Sequence, residues 1–226
     1  RYRFTTVAIA LLVVPHSLHA AEEASLAQSY GFMPLEVSKL GDRGSNLLPG
    51  DFNHDGLTDL VVIDNTHHRL DLLIQRSKAV PAAKPEGRQD VNRIDDTWRF
   101  EQRKLPVDVT VSAVAVGDFN GDKRTDLAYF GLPDQLVIHF QPETGEWLKK
   151  QTIRIADVAA GSWCLTAGDL NQDGRDDLVL IGKNELCVLK QQPNGGFGPI
   201  TRLMNTSEKM GLAQVADLNG DGRADL

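Results

Sequence analysis

The sequence is poor in aromatic residues, at 6%, and has only two cysteines and no surplus of basic charge. Two cysteines exclude a small scaffold stapled by several disulfides. With 24 Lys and Arg against 31 Asp and Glu, a net charge of −7 and a pI near 5.3, the chain offers no basic footprint for phosphate contacts. A nucleic-acid-binding role is excluded on that ground. No apolar run approaches the roughly 20 residues that a membrane-spanning helix needs. No Ser/His/Asp order, glycine-rich phosphate loop or CxxC pair occurs either. What is present is turn chemistry, with 20 Gly and 10 Pro in 226 residues, on a length that suits one large or two small domains.

Residues 1–20 read as a secretory signal peptide. Arg1 and Arg3 open it, Thr5–Val14 is apolar, and Pro15–Ala20 breaks the run and leads to small residues, with cleavage expected after Ala20. An uncleaved N-terminal anchor is the alternative. Residues 21–30 follow as a linker. The mature chain is expected outside the cytoplasm: secreted, periplasmic or at the cell surface, with no membrane span after cleavage. The given sequence starts with Arg1 instead of Met and stops at Leu226 inside a motif whose earlier copies run on into a strand, so a fragment of a longer reading frame is expected.

One motif recurs four times without gaps: GDFNHDGLTDL at 50–60, GDFNGDKRTDL at 117–127, GDLNQDGRDDL at 168–178 and ADLNGDGRADL at 216–226. The first aspartates fall at 51, 118, 169 and 217, which gives spacings of 67, 51 and 48. A fixed period of this size marks a repeat architecture. Short apolar runs recur in the same order around each copy. The second unit has Ala113–Val116, Asp126–Phe130, Gln135–Gln141 and Trp147–Ile155; the third has Leu165–Ala167, Leu178–Ile181, Leu186–Lys190 and Phe197–Leu203. The first shows Asp59–Ile63, Leu70–Arg76 and Trp98–Leu105.

Four short strands per unit predict an all-β fold, a β-propeller of four-stranded antiparallel blades. The chain would hold a partial ring, about three full blades and a started fourth. Small residues in the leading strands (Ala113, Ala115, Gly117; Ala167, Gly168; Ala213, Ala216) suit an innermost strand crowded around the axis. The long first spacing comes from Ser77–Asp96, with Pro81, Pro85, Gly87 and eight charged residues, read as a solvated loop between the third and fourth strands. Phe32–Leu40 resembles a fourth strand and is expected to close the last blade of the ring.

Within each motif, oxygen-bearing side chains occupy positions one, three, five and nine. They are Asp51, Asn53, Asp55 and Asp59; Asp118, Asn120, Asp122 and Asp126; Asp169, Asn171, Asp173 and Asp177; Asp217, Asn219, Asp221 and Asp225. The carbonyl at position seven (Leu57, Arg124, Arg175, Arg223) completes a five-oxygen set that suits Ca²⁺, with up to four sites. Mg²⁺ gives up its waters too reluctantly, and no Cys or His stands at a ligand position for zinc. Twelve of the 31 acids stand at these ligand positions, and four Ca²⁺ would add +8 to −7. Weak extracellular sites with Kd of ~10⁻⁴–10⁻³ M would each stabilise the fold by roughly 0.4–1.4 kcal/mol at millimolar calcium. An EF-hand or dockerin reading fails because position 12 is Val62, Tyr129 or Leu180 instead of Glu, and the flanks read as strands. The metal-free alternative is a set of ordinary Asp/Asn/Gly turns.

These loops resemble FG-GAP/VCBS repeats, the calcium-loop blades of integrin-α-type propellers. The resemblance covers residues 31–226 apart from the insert at 77–96. It implies a seven-bladed ring with calcium in the hairpin between the first two strands of each blade. The second copy departs from the pattern at Lys123, where the others have Gly, so this side chain must point out of the loop.

Outside the loops, His67 and His68 fall in a turn, and His54 and His139 stand alone. Trp98, Trp147 and Trp163 are expected in blade packing, with sugar stacking as the alternative. Cys164 and Cys187, placed on the first and third strands of one blade, are expected to be buried free thiols. Asn205, Thr206 and Ser207 form a glycosylation sequon. The reading is a calcium-ordered binding or adhesion module with a protein or carbohydrate ligand, no enzyme and no nucleic-acid partner. A scaffold for an extracellular carbohydrate-active or hydrolytic enzyme is the alternative, and a purely structural spacer a third.

Overall fold

In each repeat the chain turns back at the Asp loop, and the position-nine aspartate pairs with the residue just before the motif's first aspartate. The pairs are Gly50 with Asp59, Gly117 with Asp126, Gly168 with Asp177 and, as an isolated bridge, Ala216 with Asp225. One register in four copies makes each motif the tip of a β-hairpin. The computed structural model describes residues 40, 44–78, 99–204 and 211–226.

Three four-stranded antiparallel sheets follow in chain order, each a simple meander. The first holds β1 (Ser45–Gly50), β2 (Asp59–Asp64), β3 (Arg69–Gln75) and β4 (Phe100–Pro106). The second holds β5 (Thr110–Gly117), β6 (Asp126–Leu132), β7 (Gln135–His139) and β8 (Lys150–Arg154). The third holds β9 (Leu165–Gly168), β10 (Asp177–Ile181), β11 (Glu185–Leu189) and β12 (Thr201–Met204). The chain is all-β, and these sheets are propeller blades. The leading strand β5 lies against β1 on one side and β9 on the other, so the small-residue strands do gather where blades meet.

The core sits between the sheets. Phe52, Val61, Ile63, Leu70 and Leu72 of the first blade pack on Val114, Leu127, Tyr129 and Val137 of the second. Phe119, Ala128, Phe130, Leu136 and Ile138 pack on Leu178, Leu180, Cys187 and Leu189 of the third. In β6, Leu127 and Tyr129 face one neighbour while Ala128 and Phe130 face the other. A strand buried on both faces therefore reads as an unbroken apolar run, without polar alternation.

Several details differ from the sequence reading. β1 went unread because Pro49 and a left-handed Asn46 (φ 51°) break its pattern, and its pairing slips between Ser45 and Leu48. The outer strands are shorter than Trp147–Ile155 and Phe197–Leu203 suggest, beginning at Lys150 and Thr201. Trp147 and Phe197 instead lie ahead of their strands and cover loops of the neighbouring blades. The insert lies between the third and fourth strands as read, and the ladder from Gln75–Phe100 to Arg69–Pro106 is continuous across its base. The signal segment, the linker, Phe32–Lys39, residues 79–98 and the sequon lie outside the described residues.

Candidate metal centre: the Asp loops

Each loop is folded by its own side chains. In the first, Asp51 Oδ1 and Asn53 Oδ1 both accept the Asp55 N–H at 3.1 Å, Asp51 Oδ2 accepts from Gly56 (2.9 Å) and Asp55 Oδ1 accepts from Leu57 (2.8 Å). The second repeats this: Asp122 N–H to Asp118 and Asn120, Lys123 N–H to Asp118, Arg124 N–H to Asp122. The third does so through Asp169, Asn171 and Asp173, with Arg175 N–H on Asp173. The fourth does so through Asp217, Asn219 and Asp221, with Arg223 N–H on Asp221. Positions one, three and five are thus brought together in every copy. The turn requires left-handed backbone at positions four and six. Gly occupies position six in three loops, and Lys123 adopts the same conformation at φ 64° with its side chain outward and exposed.

Position nine does a different job. Asp59 is fully buried; its Oδ2 accepts the Phe52 N–H (2.8 Å) and its Oδ1 accepts the Gln75 N–H (2.7 Å) at the far end of β3. Asp126 does the same with Phe119 (2.9 Å) and Gln141 (2.7 Å). Asp177 keeps the bond from Gln191 (2.8 Å), and Asp225 the bond from Leu218 (3.0 Å). The position-nine carboxylate therefore ties the loop to its own hairpin base and to the third strand, a role the sequence reading did not assign.

The two kinds of aspartate sit in opposite environments. Burial alone would raise Asp169, yet backbone N–H groups led by Gly174 outweigh it and hold the carboxyl below the usual range. Asp217 is lowered by the same kind of bonds, led by Gly222. Burial instead raises Asp59 and Asp177. It pushes Asp126 up to about 7, with the Asp122 and Asp118 charges adding to the effect. Arg124 turns back onto Asp122 at 2.9 Å and Arg175 onto Asp173.

The donors fit a hard, oxygen-seeking cation in chemistry: carboxylate and amide oxygens converge in each turn. Among the described residues, however, no three His, Cys, Asp or Glu side chains stand together in metal-holding geometry. Positions one and five supply two carboxylates to the turn, while the third is held at the hairpin base.

Successive loops touch. Gln141, just past β7, donates Nε2 to the Asp51 carbonyl (3.0 Å), and Gln191, just past β11, donates to the Asp118 carbonyl (3.0 Å). Asp176 Oδ2 accepts the Asp118 N–H (2.8 Å), and Gln172 donates to the Gly222 carbonyl (2.8 Å).

Elsewhere, His67 stands in an exposed turn bonded to Asp64 at 2.7 Å. His139 is buried, its ring stacked on Tyr129. Cys164 and Cys187 are both buried and unbridged, Cys164 one residue ahead of β9. Trp147 stands edge-on to Phe52 of the first loop, its ring centroid 6.4 Å away. Trp163 departs from the packing expectation. It is 57% exposed at a cleft of about 380 Å³ lined by Leu48, Val114, Val116, Leu165, Ala167 and Leu212, along the leading strands.

Fold and site together define an array of propeller blades whose inner hairpins carry acidic loops. The FG-GAP-like repeat family matches residues 118–180 and 169–226, so this part of the chain consists of FG-GAP-like repeats. Nothing among the curated proteins matches. A solved structure described as the basis of specific recognition of non-reducing terminal N-acetylglucosamine by an Agrocybe aegerita lectin is similar at 14% identity and a TM-score of 0.43. The likeness covers 71% of this chain and 38% of that one, and at this level it carries no functional argument.

Proposed function

We propose that this FG-GAP repeat domain is a calcium-ordered binding module that works outside the cytoplasm. The observation that carries the reading is the fourfold recurrence of one turn in which position-one, -three and -five oxygens converge, with a carboxylate behind them that is buried in the first three copies. Asp51, Asn53 and Asp55 would hold the ion in the first loop, with the Leu57 carbonyl, and Asp59 would add its charge from the hairpin base where its oxygens take the Phe52 and Gln75 N–H groups; the matching residues would do so in the other three. The bound ion supplies fixed positive charge. The chain's own contribution is to place the oxygens and, in the first three copies, to join the loop to the third strand through position nine. No reacting group need be invoked, and the reading excludes catalysis by this domain.

The ligand surface in this reading is the exposed cleft beside Trp163, whose aromatic face suits a sugar ring or an apolar protein side chain. Among the described residues no helix is long and apolar enough to cross a membrane. The alternative, a platform for an extracellular carbohydrate-active or hydrolytic enzyme, places the chemistry in a separate domain. Thermal melting with 2 mM Ca²⁺ and with excess chelator tests the calcium reading. A midpoint raised by several degrees with calcium supports it, and coincident curves reject it.

A further inference from the structure

We propose that Gln141 and Gln191 are positioning residues for the Asp loop of the preceding blade, so that cation binding in one blade depends on a side chain supplied by the next. The inference rests on the calcium reading above and deepens it.

Each glutamine makes two bonds in opposite directions. The Gln141 backbone N–H goes to Asp126 of its own loop, while its Nε2 reaches the Asp51 carbonyl of the loop before. Gln191 repeats both bonds with Asp177 and Asp118. The two side chains are 3% and 1% exposed, and in both the Oε1 is buried without a hydrogen-bond partner. A buried orphan oxygen is unfavourable. In both blades the amide is turned so that its Nε2 reaches the position-one carbonyl of the preceding loop. Gln75 occupies the equivalent place in the first blade, with its N–H on Asp59.

The acceptor is always the carbonyl of position one, and position one organises the turn: its two carboxylate oxygens take the N–H groups of positions five and six. Holding that carbonyl holds the first ligand's backbone and lowers the ordering cost of binding. Truncating the glutamine leaves its backbone N–H intact, so its own loop keeps the position-nine bond. The effect is therefore directional. Gln141→Ala should damage the Asp51–Asp59 loop, and Gln191→Ala the Asp118–Asp126 loop.

Trp147 provides the readout, because it lies against Phe52, position two of the first loop. Tb³⁺, a luminescent stand-in for Ca²⁺, is titrated into the full chain. The Trp147-dependent signal is isolated by subtracting a Trp147→Phe control. In wild type the signal should rise with Tb³⁺ and fall on competition with Ca²⁺. Gln141→Ala should weaken that site about three- to tenfold, the effect of one hydrogen bond, while Gln191→Ala should leave it within about twofold. Unchanged affinity in Gln141→Ala, or equal losses in both variants, overturns the proposal. If Gln141→Ala fails to fold by circular dichroism, Gln141→Glu replaces it, keeping the size and removing the donor, with the same pattern required. A wild-type chain with no Tb³⁺ signal rejects the calcium reading itself, an outcome distinct from binding that is insensitive to the glutamine.

Discussion

Asp126 Oδ1 accepts the backbone N–H of Gln141 at 2.7 Å, across 15 residues, from a position with no solvent exposure. The same carboxylate takes the Phe119 N–H, so one side chain satisfies two buried donors. Asp126→Ala would orphan both, at roughly 1–3 kcal/mol each. Asp126→Asn keeps one acceptor oxygen and should lose less. Urea denaturation in chelator measures both; an alanine variant as stable as wild type would contradict the clamp.

His139 gives a pH dependence of known sign. Burial holds its ring below the ordinary value of 6.5, so the unfolded chain binds a proton more readily than the folded one. Its contribution to stability is intact above about pH 6.5 and is lost as pH falls toward the folded-state value. The stability difference between wild type and His139→Gln should shrink on acidification between pH 7.5 and 5. A pH-independent difference would argue against a neutral buried ring.

Gly117 leaves room for Asp176 of the next blade. A Cβ there would lie 2.7 Å from Asp176 Oδ2 and 3.0 Å from the Phe119 ring, in the place where that carboxylate reaches the Asp118 N–H. Gly117→Ala should destabilise the chain by about 1–3 kcal/mol as an overpacked contact. In Asp176→Ala the same substitution should cost less, since one clashing group is gone. A double-mutant cycle reads the coupling.

Lys123 carries a left-handed backbone that a glycine adopts without strain. Its side chain is exposed, while its N–H makes the same bond to Asp118 that glycine makes in the other loops. Lys123→Gly should therefore raise the thermal midpoint, by about 1 kcal/mol of relieved strain less the added unfolded-state entropy. A lowered midpoint would show that the stem packs usefully.

The hairpins, blade order and buried thiols were legible because the motif repeats with a fixed register and the apolar runs between copies have strand length. Trp163 was not, since composition cannot distinguish an aromatic at a cleft from one between sheets. The role of position nine was hidden for a different reason. Asp59 and Asp51 look alike in a spaced motif, and only the fold places one under β3 and the other on the rim. The inter-blade glutamines lie 90 and 73 residues from their acceptors, a separation no local pattern encodes.

The closed ladder beneath residues 77–98 has an engineering consequence. The chain leaves after Gln75 and returns before Phe100, with Arg76 N–H on the Arg99 carbonyl at 2.7 Å, so the two exit points are already stapled together. Loop-closure entropy grows only logarithmically, about 0.6 kcal/mol for each doubling of length. That gap is therefore a graft port for an epitope, a fluorescent domain or a tether, and because the Gln75 N–H anchors Asp59 of the acidic turn at this same end of the strands, a splice has to begin beyond Arg76 to leave the turn its geometry.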